Sequence, residues 1–361
     1  MAGKSLAALS TTLDEARERM VAAYVKQARA MWNMLAPSDW WNDGMTFGVA
    51  ARAALLEIAL IQQVRQLGVQ YADETLRMLG VKPSGNVASL VFPRANADPW
   101  LVAARPADSY RGAAVKAPSL RPVEWPSKTD ESFAEVDKWL RQAFTRLETA
   151  VQEDTLRAST TATIGRYKGS RVDQYRRVLH PELSKTGSCG LCVVAADRWY
   201  STRDLLPIHA NCHCGIAPAG ADYDPGYQLN QKDLQRLYKA AGGTRADLLK
   251  QVKVMGVNHG ELGPILSEYE ADRHQNGVPA KDAEQWHVPD RQTTLKQIQR
   301  MENRAIEFNR RYKEVRDTGK DVSFRYEGRK YTFSPSKHLN QAMAWQRTML
   351  NQMRALQRKA A

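Results

Sequence analysis

All four cysteines of this 361-residue chain fall within residues 189–214, CGLCVVAADRWYSTRDLLPIHANCHC. Cys189 and Cys192 form a C-x2-C pair, nineteen residues separate Cys192 from Cys212, and the second half reads His209-x2-Cys212-x-Cys214. Two thiolates three positions apart in a tight turn point at one ion, with Gly190 easing the turn, and tetrahedral zinc takes two such pairs. The last pair is C-x-C, so one of its thiols can point away and leave its place to His209. The expected centre is a structural zinc held by Cys189, Cys192, Cys212 and either Cys214 or His209. His213, flanked at one-residue spacing by two ligands, is expected to face the other way.

Two disulfides, or four reduced thiols that simply pack, are the competing readings. Disulfides need an oxidising compartment, and the opening residues, with Asp14, Glu15 and Glu18 arriving early, lack an export signal, so synthesis in the cytoplasm is expected. A hydrolytic zinc keeps an open position and favours histidine with carboxylate, which a thiol-rich set does not provide. The H-x-E and P-C-x-x-C pair of zinc deaminases is absent. HANC at 209–212 mimics part of a treble-clef nuclease site, without a second histidine spaced to complete it. For an enzyme, protease or nuclease, the nearest polar candidates are Ser201, Asp204, His209 and His213; no catalytic set emerges from them.

The elements that must position this cluster follow from periodicity. Apolar positions at helical spacing predict helices over 11–35, 45–79 and 130–160, and a shorter helical region over 229–251 interrupted by Gly242-Gly243. Residues 170–183 fit a strand or a short helix equally, and 252–267 reads as two short strands about an Asn258-His259-Gly260 turn. His259 and Glu261 are there read as solvated turn residues, not as an acid–base pair. Trp40-Trp41 leads into an apolar helix and reads as core. Seven prolines in 83–128 predict an extended connector, with Tyr110-Arg111-Gly112 and Trp125 as its anchor points. The tail predicts a helix over 292–317, a hairpin over 322–334 and a helix over 336–358. The fold class is therefore α+β and predominantly α-helical, in four parts: an N-terminal helical region (1–82), the connector (83–128), a domain carrying the Cys/His cluster (129–290, core 170–270) and a basic helix–hairpin–helix region (291–361).

The formal net charge is +13. Residues 291–361 carry seventeen Lys or Arg against six acids, which concentrates the excess in the tail. A terminal run of one sign favours a polyanion, bound through phosphates and without sequence preference. The candidate contacts are Arg310, Arg311, Lys313, Arg329, Lys330, Arg354, Arg358 and Lys359. No apolar run is long enough to cross a membrane, and no membrane partner is expected.

Residues 175–218, YRRVLHPELSKTGSCGLCVVAADRWYSTRDLLPIHANCHCGIAP, resemble the C-terminal motif of phage Mu F-like head morphogenesis, or minor capsid, proteins in the version found in phages of actinobacteria. That pattern pairs an upstream C-x2-C with a downstream H-x-x-C-x-C and a proline shortly after, here Cys189, Cys192, His209, Cys212, Cys214 and Pro218. VNHGELGPIL at 257–266 resembles a segment that follows the motif. The resemblance implies a low-copy protein inside the virion head near the portal, made in the host cytoplasm. Its implied partners are the portal, the major capsid or scaffolding protein and, non-specifically, packaged DNA. Relatives are often labelled capsid maturation proteases, a label that no visible catalytic set supports here. A nucleic-acid-binding zinc protein outside the virion is the remaining alternative.

Overall fold

The computed structural model describes residues 5–85, 87, 92, 98–183, 188, 190–203, 212–220, 222–244, 254–259, 263–268 and 290–360. The chain is predominantly helical with three small antiparallel sheets among the described residues. It packs as two compact units. The first takes Met1–Met20, Ile61–Asn96 and Gln152–Val288; the second takes Val21–Leu60, Ala97–Val151 and Pro289–Ala361.

The first unit contains the opening turns of α1 (Leu6–Asn33) and the later turns of α2 (Asp43–Met78) and α4 (Phe133–Gly169). Within it α2 and α4 touch backbone to backbone, because a Cβ on Gly68 would lie 2.5 Å from the Ser159 carbonyl oxygen. Thr163 Oγ1 donates to the Gly68 carbonyl (3.0 Å), and one turn on Arg166 holds Asp73 at 2.5 and 3.2 Å. Over 170–183, where periodicity left two options, the chain forms β1 (Gln174–Val178). Two neighbours decide it: β2 (Trp199–Ser201) and β3 (Gly215–Ala219) flank β1, both antiparallel, so Tyr175 faces Tyr200 on one side and Pro218 on the other.

Between β1 and β2 runs α5 (Gly190–Ala196), and α6 (Pro225–Ala241) packs on β1 and β3. Asp224 caps α6 by accepting from the Tyr227 amide, Pro225 fits the first turn, and Gly242 ends the helix in the left-handed conformation (φ 76°). The predicted helix over 229–251 therefore stops at Gly242; residues 245–253 lie outside the described ones. The strands expected over 252–267 form as β4 (Val254–His259) and β5 (Gly263–Glu268), paired from Val254↔Glu268 to His259↔Gly263. Glu261 lies outside the described residues.

The second unit corrects the connector. Pro99–Ala114 is a helix, α3, and not extended chain. Asp98 accepts from the Trp100 and Leu101 amides, and Pro99 occupies the first turn, where its missing N–H costs nothing. Pro106 sits inside the helix and buries, so the proline count overstated the extended content. The expected anchors do anchor, within this unit: Arg111 donates to the Trp40 carbonyl (2.6 Å) and pairs with Asp43 (2.8 Å), and Trp125 Nε1 donates to the Leu35 carbonyl (2.9 Å). Trp40 is core, packed on Trp32, Tyr110, Trp125 and Phe144, whereas Trp41 is exposed.

The tail folds as predicted into α7 (Arg291–Thr318), a β6–β7 hairpin (Val322–Tyr326, Arg329–Phe333) and α8 (Leu339–Ala360). Asp290 caps the start of α7, and Gly319 at φ 65° closes it. Phe308 of α7 is fully buried at the centre of six rings, with centroids 5.2 to 5.9 Å away: Phe47, Trp100, Phe324, Tyr326, Tyr331 and Phe333.

Candidate metal centre

Cys192 lies in α5, while Cys212 and Cys214 lie in the segment entering β3. All three are buried, and their sulfurs lie within 4.8 Å of one another, with Cys192 Sγ 3.9 Å from Cys212 Sγ. A tetrahedral ion bound at about 2.3 Å spaces its sulfurs by about 3.8 Å. The group has the donors and the spacing to hold a metal ion. None of the three is in a disulfide. Cys214, one of the two options left open by the C-x-C spacing, is part of the cluster. Cys189 and His209 lie outside the described residues, as does Asp204.

The strand β1 supplies a group that the cysteine spacing did not reveal. Tyr175 and Arg177 are two apart on β1 and both fully buried. Arg177 Nη1 lies 3.6 Å from Cys192 Sγ and 3.5 Å from Cys212 Sγ. Asn230 of α6 accepts from the Leu179 amide (2.8 Å) and donates to the Arg177 carbonyl (2.5 Å), fixing the backbone that aims this side chain. Burial alone would pull the guanidinium pKa down, but the sulfurs of Cys214, Cys212 and Cys192 attract the cation and raise it well above its ordinary value. A permanent positive charge thus sits against the sulfur cluster. Its neighbour Arg176 turns to the other face and binds Asp224 (2.7 Å) and the Ala196 carbonyl (2.9 Å).

His213 does face away from the sulfurs. Its Nδ1 lies 3.3 Å from Asp14 Oδ2 and 3.6 Å from Glu18 Oε1. Two carboxylates and an imidazole so close resemble a second cation site, but the cation is already there: the buried Arg17 Nη2 reaches Asp14 Oδ1 at 2.6 Å and Glu18 Oε1 at 2.8 Å. Burial raises the Asp14 pKa, yet Arg17 and the His213 hydrogen bond outweigh it and hold Asp14 below the ordinary carboxylate value. In turn the Asp14 bond raises His213. This charge network ties α1 to the cysteine segment.

The fold also assembles a serine, a histidine and an acid that are far apart in sequence. Ser10 Oγ lies 2.7 Å from His180 Nε2, and His180 Nδ1 lies 2.9 Å from Glu182 Oε1. The order matches a nucleophile, base and orienting acid. Ser10, however, is 1% exposed and faces Gly215, where a Cβ would come within 2.8 Å of its oxygen. A hydroxyl sealed in this way braces α1 against β3. Of the polar candidates read from sequence, the two among the described residues have partners of their own: Ser201 Oγ accepts from the Arg203 amide (3.1 Å), and His213 is held by Asp14.

The basic-tail candidates divide. Arg310 and Arg311 share Glu307, Arg311 also reaches Glu314, and Arg354 pairs with Glu302. Lys313, Arg329, Lys330, Arg358 and Lys359 are exposed and carry no ion pair among the described residues. No family model, no curated protein and no solved structure matches this chain.

Proposed function

We propose that the chain is a minor capsid, or head morphogenesis, protein of a phage, held at the portal inside the head, with a structural zinc in its first unit. The observation that carries the reading is the meeting of Cys192, Cys212 and Cys214 at one buried point. These are three of the positions through which the sequence resembles the Mu F-like proteins. A thiol-rich, closed donor set suits zinc in a structural role. Cys189 or His209 would complete the four, and the bound ion would contribute folding energy to a region of short strands and helices. Arg177 would offset part of the negative charge that three thiolates bring.

The test is quantitative mass spectrometry of purified mature particles together with a pull-down on the tagged portal protein. A few copies per head and co-purification with the portal are expected. Absence from particles, with trimming of the major capsid protein only when this chain is expressed, would overturn the reading in favour of a protease.

Arg177→Met keeps the bulk of the side chain and removes its charge. Because groups that contact ligand atoms typically tune affinity about 10- to 100-fold, the variant is expected to bind zinc more weakly by roughly that factor. A chelator competition titration reads it, with circular dichroism confirming the helical signal. Unchanged affinity would show that the guanidinium only fills space.

A further inference from the structure

The tail's acids are nearly all spoken for. Glu302, Glu307, Glu314, Asp317 and Glu327 pair with Arg354, Arg310, Arg311, Arg316 and Arg304. What remains is an excess of exposed cations, and the fold gathers a set of them at one end of the α7, hairpin and α8 module. Two contacts place that end. Arg304 Nη2 holds Glu327 at the hairpin tip (3.0 Å), one helical turn from Arg300. Gln357 of α8 donates to Gln299 (2.8 Å), the neighbour of Arg300. Arg300, Arg325, Arg329, Lys330, Arg358 and Lys359, all exposed, therefore lie on the elements that meet at this end, with Arg325 and Lys330 on the outward face of the hairpin and Arg329 at its tip on the other face.

The hairpin itself carries an unbalanced feature. Arg325 stands directly across from Lys330, and the next pair on that face is Ser323 with Thr332, whose hydroxyls lie 2.8 Å apart. Like charges directly opposite each other destabilise a strand pair, and Arg325 and Lys330 have no ion-pair partner among the described residues to relieve it. Beneath them the inward face is fixed by the ring cluster around Phe308, so the cations stand on a rigid platform. No aromatic side chain of residues 290–360 is exposed. The face thus lacks both the rings that stack on bases and the aromatic anchors on which protein interfaces rely. Arginines, lysines and hydroxyls without those rings are a set for phosphate oxygens.

We propose that this end of the second unit binds the sugar–phosphate backbone of duplex DNA, without reading its sequence. The proposal rests on the head-protein reading for its setting and names the ligand of the tail. Arg325, Ser323 and Thr332 join the site, while Arg310, Arg311 and Arg354, committed to acids, leave it.

Fluorescence anisotropy of the full chain with two unrelated duplexes of about 20 base pairs tests it, as a function of salt. Wild type is expected to bind both alike, with log K falling linearly with log salt. The variant Arg325→Gln/Arg329→Gln/Lys330→Gln, altered only at exposed positions, is expected to bind at least tenfold more weakly at about 0.1 M salt, with a slope smaller by about 2 to 3. Arg310→Gln/Arg311→Gln, which removes two charges from ion-paired positions, is expected to change affinity less than about threefold if phosphate contact and not net charge decides. No binding by wild type at about 0.05 M salt, equal binding by the triple variant, or an equal loss in the control would each overturn the proposal. So would binding to polyglutamate in place of either duplex. Because the assay uses the purified chain, its failure leaves particle incorporation untouched, and absence from particles leaves the DNA affinity untouched.

Discussion

Phe308→Ala is expected to lower the stability of the second unit by about 4 kcal/mol, the usual range for deleting a fully buried aromatic side chain being about 3 to 5 kcal/mol. The upper half of that range applies because no neighbour can collapse into the space. Phe47 comes from α2, Trp100 from α3, and Phe324, Tyr331 and Phe333 from the hairpin, each placed by its own backbone. Edge-to-face ring pairs add roughly 0.5 to 1.5 kcal/mol beyond buried area, and this one substitution removes several. Urea titration followed by tryptophan fluorescence measures the loss, with Trp100 5.5 Å from the deleted ring as a local reporter. A change below about 1.5 kcal/mol, the cost of a volume-conserving swap, would mean that the rings repack and that the hairpin is not fixed by Phe308. The same variant then bears on the proposed DNA-binding face, whose hairpin cations rely on that fixed platform.

What could be read from the sequence follows from how local each determinant is. The helices around 45–79 and 292–317 were legible because apolar residues recur at helical spacing and the ends carry their own stops, and they form as Asp43–Met78 and Arg291–Thr318. The β6–β7 hairpin was legible from alternation, and its burial pattern keeps that alternation. Helix α3 was not, because proline is a local breaker whose effect here is cancelled by position: Pro99 falls in the first turn behind the Asp98 cap.

At the candidate metal centre the cysteine spacing was legible because it is a short-range pattern. Arg177 was not, since two adjacent arginines in a five-residue segment look like solvated charge. Only the pairing of β1 on both edges shows that Arg176 and Arg177 are buried on opposite faces with separate partners. Asp14 reaches His213 across 199 residues and Ser10 reaches His180 across 170, distances over which no periodicity carries information. The tail's charge was visible as a sum. Arg310 and Arg311 are spent on Glu307 and Glu314 at helical spacing within α7, whereas that Arg354 is spent on Glu302 became visible only once α7 and α8 were packed.

Cys212→Ser is expected to have the largest effect in the first unit, roughly 5 kcal/mol or more, and the size of the loss separates the two readings of the cluster. If the three thiols only pack, serine at this buried position exchanges a weakly polar sulfur for a hydroxyl, at a cost of about 1 to 3 kcal/mol. If they hold an ion, the variant also loses metal binding that is linked to folding, which in small zinc domains amounts to about 10 kcal/mol or more. The first unit has its own core, with Ala72, Leu76, Leu156, Ile164, Tyr167 and Leu234 buried beside the cysteines, so part of the fold survives and the loss is smaller than in a zinc finger. Denaturation of the variant gives the magnitude, and chelation of the unmutated protein gives the independent check, since it removes the ion without touching packing. Both should lower the same transition, and zinc content should fall from one per chain to none in the variant. A wild-type protein that keeps its stability in excess chelator, with Cys212→Ser costing under about 3 kcal/mol, would leave Arg177 facing three reduced thiols and end the case for a metal.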